Sequence, residues 1–145
     1  MTILNRGEFF KKLERRLGIV PIKNAERACY KAANLVKNEA VKSILGGAKT
    51  GKTSKKYNPN RTHTASAPGE SPASDTGALA KGIFAEVKTS KAAKEVAGIV
   101  RATAPYSAHL EFGTRNMAAR PYLQPALDKS AQRIIGIFKK EGIIS

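Results

Sequence analysis

The sequence predicts an α+β domain. A small antiparallel, hairpin-based sheet packs against a long N-terminal helix and a C-terminal helix, with a long flexible basic loop inserted. Three observations carry this expectation. Apolar residues recur at helical spacing over about residues 24–45 and again over about 123–140. Two stretches between them, "GIFAEVKT" and "EVAGIVRAT", alternate with a period of two. Residues 46–75 offer almost nothing to bury. The length, 145 residues, suits one domain spanning 1–145 and is too short for two cores.

The elements follow in order. Phe9, Phe10, Leu13 and Leu17 predict a short first helix that Gly18 stops. After a connector containing Pro21, a longer helix carries a stripe of Ala25, Ala28, Cys29, Ala32, Val36, Ala40 and Ile44. Gly46 and Gly47 cap its end. Residues 46–75 are rich in Gly, Ser, Thr, Pro and Lys, and read as a mobile loop. Residues 76–81 form a turn or a short helical piece. Ile83, Ala85 and Val87 share one face of a strand, and Val96, Gly98, Val100 and Ala102 share one face of the next. "SKAAK" joins the two as a hairpin. A short helix in "APYSAHLEFGT" ends at Gly113, a loop follows, and Leu123, Leu127, Ile134, Ile137 and Phe138 stripe the last helix. Pro125 is tolerated in its first turn.

One motif invites a catalytic reading. "GGAKTGKT", residues 46–53, fits the phosphate-loop pattern G-x-x-x-x-G-K-[ST]. That loop works by joining a buried strand to the N-terminus of a helix. Here a helix precedes it, and the segment that follows contains Pro59. The fold that uses the motif also needs an aspartate ending a second buried strand. The two aspartates, Asp75 and Asp128, do not occupy such a place. The sequence therefore argues against nucleotide hydrolysis. Other chemistry is thin. His63 and His109 lie far apart, no metal-ligand spacing occurs, and Glu86, Glu95 and Glu111 read as solvated strand positions plus one structural salt bridge. No enzymatic activity and no cofactor are expected.

Charge is more informative. Lys and Arg number 26 against 11 acids, a net charge of +15, which implies a polyanionic neighbour. Lys49, Lys52, Lys55, Lys56 and Arg61 concentrate in the loop as a DNA-facing or partner-facing set. No sequence-reading motif accompanies them. The single cysteine, Cys29, falls on a helical apolar stripe and reads as a small buried hydrophobe in a reducing compartment. No apolar run is long enough to span a membrane, and the N-terminus is not patterned as a signal peptide.

The most distinctive stretch is "APYSAHLEFGTRNMAARPYLQPAL", residues 104–127. It resembles the head–tail joining (neck or tail-completion) family of long-tailed, lambda-like bacteriophages and prophages, in which a "YA..LE.GT" segment precedes "RP(F/Y)L.PA". Tyr106, Ala108, Glu111, Phe112, Gly113 and Thr114 match the first part; Arg120, Pro121, Tyr122, Leu123, Pro125 and Ala126 match the second. Residues 67–83 echo the family's "PG.PP..TG.L..SI" more weakly, with Ser71 where a proline is usual. The resemblance implies a structural virion protein, made in the host cytoplasm and located at the neck. It would form a ring, a hexamer by the family pattern, that joins the head to the tail and leaves a channel for DNA. Its partners would be copies of itself, adjacent connector or stopper proteins, tail-terminator or tail-tube proteins, and DNA bound without sequence preference; no membrane is implied. A tail-terminator ring is an alternative in the same region, and a small non-specific nucleic-acid-binding protein is one from another class.

Several residues stand out as subunit-interface or loop-fixing candidates: Tyr106, Glu111, Phe112, Gly113, Thr114, Arg120, Pro121 and Tyr122. Glu111 is expected to pair with Arg115 or Arg120, either within the loop or across a subunit boundary. Gly113 permits a tight turn directly after the helix.

Overall fold

A computed structural model describes residues 2–3, 22–57 and 60–144. The short first helix and most of its connector lie outside the described residues. The elements are β1 (Thr2–Ile3), α1 (Ile22–Gly46), β2 (Thr53–Tyr57), β3 (Asn60–Thr64), α2 (Ala78–Lys81), β4 (Ile83–Ser90), β5 (Glu95–Ala102), α3 (Ser107–Phe112) and α4 (Leu123–Lys140). The class is α+β with two small antiparallel sheets. One has the strand order β1-β5-β4, and the other is the β2–β3 hairpin.

Helix α1 is the middle layer. It packs against β4 and β5 on one side and against α4 on another. Its stripe explains how it serves both. Ala25, Ala28, Cys29, Ala32, Ala33, Val36, Ala40 and Ile44 are all buried. A face built mainly of alanine lets both neighbours approach closely. On β5, Gly98 sits where a Cβ would come within 2.8 Å of the Cys29 carbonyl oxygen. The glycine therefore sets the spacing between sheet and helix. Burial pushes the Cys29 thiol up to about 11, so it is a packing group, as its place on the stripe implies.

The β4–β5 hairpin has the expected faces, with Val96, Val100 and Ala102 buried, and its register runs from Ile83↔Ala102 to Ser90↔Glu95. Helix α4 occupies the span its periodicity predicts. Its C-terminus closes with two bonds: Gly142 N–H donates to Lys139 O at 3.1 Å, and Ile143 N–H donates to Phe138 O at 2.9 Å. Gly142 has φ +74°, and Ile143 folds back into the core at 1% exposure. Glu141 beside this turn pairs with Lys31 and Arg27 of α1, which ties the two helices together.

The structure corrects the expectation of an irregular loop over residues 46–75. β2 and β3 pair from Thr53↔Thr64 to Tyr57↔Asn60, and the Thr53 and Thr64 hydroxyls meet at 3.0 Å. A hydropathy pattern reports apolar burial. This hairpin instead uses a backbone ladder and ion pairs, which leave no mark in such a pattern.

Gly98→Ala is expected to destabilise the domain by about 1–3 kcal/mol, because helix and strand must separate to admit the methyl group. Gly136 lies inside α4 with open space around it, and Gly136→Ala is expected to stabilise by about 0.5–1 kcal/mol. Urea denaturation of both variants checks the contrast. Equal effects would show that the α1–β5 spacing is not set by Gly98.

Candidate functional site

The distinctive stretch folds around one buried carboxylate. Glu111, at the end of α3, is 4% exposed. Its Oε2 accepts from the Tyr122 and Leu123 N–H groups at 2.8 and 3.0 Å, and its Oε1 accepts from Gln124 N–H at 2.8 Å. These are three of the four amides that the start of α4 leaves without a helical partner. The fourth position is Pro125, which has no N–H. A single acid and a single proline thus satisfy the whole helix terminus. The negative charge also complements the positive end of the helix dipole. The pairing of Glu111 with Arg115 or Arg120 is therefore corrected: its oxygens are occupied by backbone amides.

The rest of the stretch serves this arrangement. Gly113 turns the chain out of α3 at φ +75°, where a Cβ would lie 2.9 Å from the Met117 oxygen and the Ala119 nitrogen. Thr114 and Met117 close a tight loop by mutual backbone bonds of 2.8 and 3.3 Å. Arg120 N–H donates to Leu110 O at 2.7 Å, and Pro121 then leads into α4. Tyr122 is fully buried, and burial together with the nearby Glu111 carboxylate raises its hydroxyl pKa well above the usual range. Three of the predicted residues are exposed: Phe112 at 72%, Tyr106 at 45%, and Thr114.

The phosphate-loop match resolves in an unexpected way. It runs from the end of α1 into β2, the reverse of a strand-to-helix loop. Three of its amides are engaged within the domain. Gly47 N–H donates to Ser43 O, and Gly51 N–H donates to Ala65 O. Thr50 gives its N–H at 3.0 Å and its hydroxyl at 2.5 Å to the Glu70 carboxylate, which also accepts from Ala67 N–H at 2.8 Å. A carboxylate of the chain itself thus takes the donors of Thr50. These bonds hold the Glu70 carboxyl at about 2.

The predicted basic set divides. Lys49 is a strut: its ammonium donates to the Ser71 and Pro72 carbonyls at 3.0 Å each, and partial burial lowers its pKa. Asp75 gathers Lys56, Arg61 at 2.9 Å and His63 at 3.8 Å, and these contacts lower its pKa. Lys49, Lys56 and Arg61, expected to face DNA or a partner, are thus engaged by carbonyls and an acid within the domain. Lys52, immediately before β2, and Lys55, within it, remain exposed.

Sequence reasoning missed Glu70 and Asp75. One signal was legible: "APGE" carries the Pro-Gly pair of a type II turn, and Gly69 has φ +82°. That turn also joins residues 67–83 to residues 104–127, since Gly69 N–H donates to Ala119 O at 3.0 Å. Between them lies a cavity of about 300 Å³ whose walls include His63, Asp75, Leu79, Tyr106, Leu110 and Arg120. Among the described residues no cluster of His, Cys, Asp and Glu is placed to hold a metal ion, and no helix is long and apolar enough to cross a membrane.

No protein-family model, curated protein or solved structure matches this chain.

Glu111→Ala is expected to cost about 3 kcal/mol in urea denaturation, because three first-turn amides lose their acceptor at once. Glu111→Gln keeps one carbonyl oxygen and is expected to lose less. Amide exchange at Leu123 and Gln124 should accelerate in both; unchanged exchange would remove Glu111 from its role.

The acids also fix a pH dependence. The folded pKa values of Glu70 and Asp75 lie below those of the unfolded chain, near 4. Their contribution is therefore complete above about pH 4–5, and for Glu70 it is lost as pH falls toward about 2. NMR amide exchange over residues 50–70 should rise across that window, and Glu70→Gln should raise it already at neutral pH.

Proposed function

We propose that this protein is a structural component of a bacteriophage neck, forming a ring at the junction of head and tail through which DNA passes. The observation that carries the reading is the family-like stretch over residues 104–127. Its matched residues have a common physical purpose. Glu111, Gly113, Arg120, Tyr122 and Pro125 build one helix-terminus staple, and the weaker echo over residues 67–83 contacts it through the Gly69–Ala119 bond. The two segments that resemble the family thus form one unit.

Two further features support a ring. Phe112 and Tyr106 leave aromatic surface in water beside the staple, the kind of surface that subunit contacts cover. Lys52, immediately before β2, and Lys55, within it, are exposed and can attract passing phosphates without reading bases. A tail-terminator ring would use the same features at the other side of the junction.

The test is assembly. Electron micrographs and sedimentation of the purified protein are expected to show closed rings. Phe112→Asp should leave the thermal unfolding midpoint within a few degrees and yield monomers. A wild-type protein that stays monomeric at high concentration and also fails to join purified heads to tails would refute the proposal. DNA binding should be independent of sequence. Replacing Lys52 and Lys55 with Ala should reduce the log–log salt slope by about 0.9 for each phosphate no longer neutralised.

A further inference from the structure

The cavity between the two family-like stretches contains a charge that the fold does not use. Arg120 lines it, and among the described residues its guanidinium has neither an ion pair nor a side-chain hydrogen bond; its Nε is sealed from solvent without an acceptor. Arg61 and Arg101 also have a sealed Nε, but each guanidinium meets a carboxylate, Asp75 or Glu86. The acids near Arg120 are already taken. Glu111 is filled by three amides, and Asp75 is shared by Lys56, Arg61 and His63. Unlike those two arginines, Arg120 is held half-buried with no carboxylate paired to it among the described residues.

The walls narrow the class of ligand. Leu79, Leu110 and Tyr106 place apolar surface beside the guanidinium. At about 300 Å³ the cavity has the volume of one or two side chains and cannot admit a duplex. Lys52 and Lys55 are exposed and suit phosphates; Arg120 lies in a recess. A planar guanidinium pairs with a carboxylate through two parallel N–H bonds, and the apolar walls favour an acid that has an aliphatic neighbour.

We propose that this cleft is a receptor for a carboxylate on an acidic, partly apolar segment of a partner protein, with Arg120 as the anchoring cation and Tyr106 as its outer wall. The net charge of +15 steers such a segment toward the domain, and the cleft gives it a fixed seat. The inference does not rest on ring assembly, because every group it uses belongs to one chain.

The experiment is an NMR titration of the full chain labelled with ¹⁵N, following the Arg120 Nε resonance and the amides of Leu79 and Leu110. The probes are a capped Gly-Glu-Leu-Glu-Gly peptide, its glutamine counterpart, a neutral peptide ending in a free Leu carboxylate, inorganic phosphate and a short DNA duplex. The glutamate peptide, the Leu-carboxylate peptide or both should shift these resonances saturably, and which one acts tells a side-chain acid from a chain terminus. Arg120→Gln should weaken binding at least tenfold, and Arg120→Lys by less. Because the Arg120 side chain makes no ion pair or hydrogen bond among the described residues, the unfolding midpoint should change little. Tyr106→Ala, at an exposed position, supplies a second variant expected to weaken binding severalfold. Equal shifts from the glutamine peptide, or shifts from phosphate or duplex alone, would overturn the proposal. So would resonances that move with protein concentration alone in the Phe112→Asp variant, which would assign the cleft to another copy of this chain.

Discussion

The start of α4 depends on a side chain supplied from elsewhere in the sequence. Tyr122 at its N-cap offers no side-chain hydrogen bond, and the first turn has no acidic residue of its own. The acceptor comes from Glu111, eleven residues earlier and across a tight loop. That requirement fixes a good deal of geometry. Helix α3 must end so that Glu111 faces inward, Gly113 must turn the chain at once, and Arg120 and Pro121 must bring it back beside Leu110. Burying a carboxylate is costly unless its lone pairs are filled, and three amides fill them. The staple thus couples the placement of α3 to that of the α4 N-terminus.

The opposite end of α4 is secured by different means. Glu141 reaches Lys31 and Arg27 on α1, while Ile143 folds under the last turn. Between these two fastenings the buried face of α1 is largely alanine, and that of α4 is Leu123, Ala126, Ser130, Ile134 and Phe138. Small side chains give little burial per residue, so close approach has to make up the difference through dispersion. Gly98 does the same on the sheet side. A thin middle helix of this kind tolerates little change in volume on either face, which explains why a domain with few aromatics can still close a core.

Much of this was legible in the sequence, and the parts that were not share a cause. The limits of α4, the inward faces of β4 and β5, and the stripe of α1 follow from periodicity, because each buries one apolar face. The β2–β3 hairpin was missed, since its strands, TSKKY and NRTHT, are almost wholly polar or charged and offer no apolar face to detect. Its partners, Glu70 and Asp75, are close in space and up to twenty residues away in sequence. In the candidate site, Gly113 and Pro125 were readable from backbone rules. The partner of Glu111 was not: an acid near two arginines suggests an ion pair, and only the fold reveals that backbone amides arrive first.

The placement of acids also clarifies the basic surplus. Glu39 serves Lys42 and Arg133, Glu86 serves Lys88 and Arg101, Glu141 serves Lys31 and Arg27, and Asp75 serves three cations. Glu70 and Glu111 are taken up chiefly by backbone donors. Acids are therefore few, and those in these pairs and caps are structural, so the excess positive charge remains on the surface as a field. A field of that kind attracts any polyanion and is screened within about 8–10 Å at physiological salt. Arg120 differs in kind. It stands in a recess whose other charged wall, Asp75, is already paired, and there salt screens less and geometry decides what can approach. The first arrangement suits a partner that must slide past, and the second suits one that must stay.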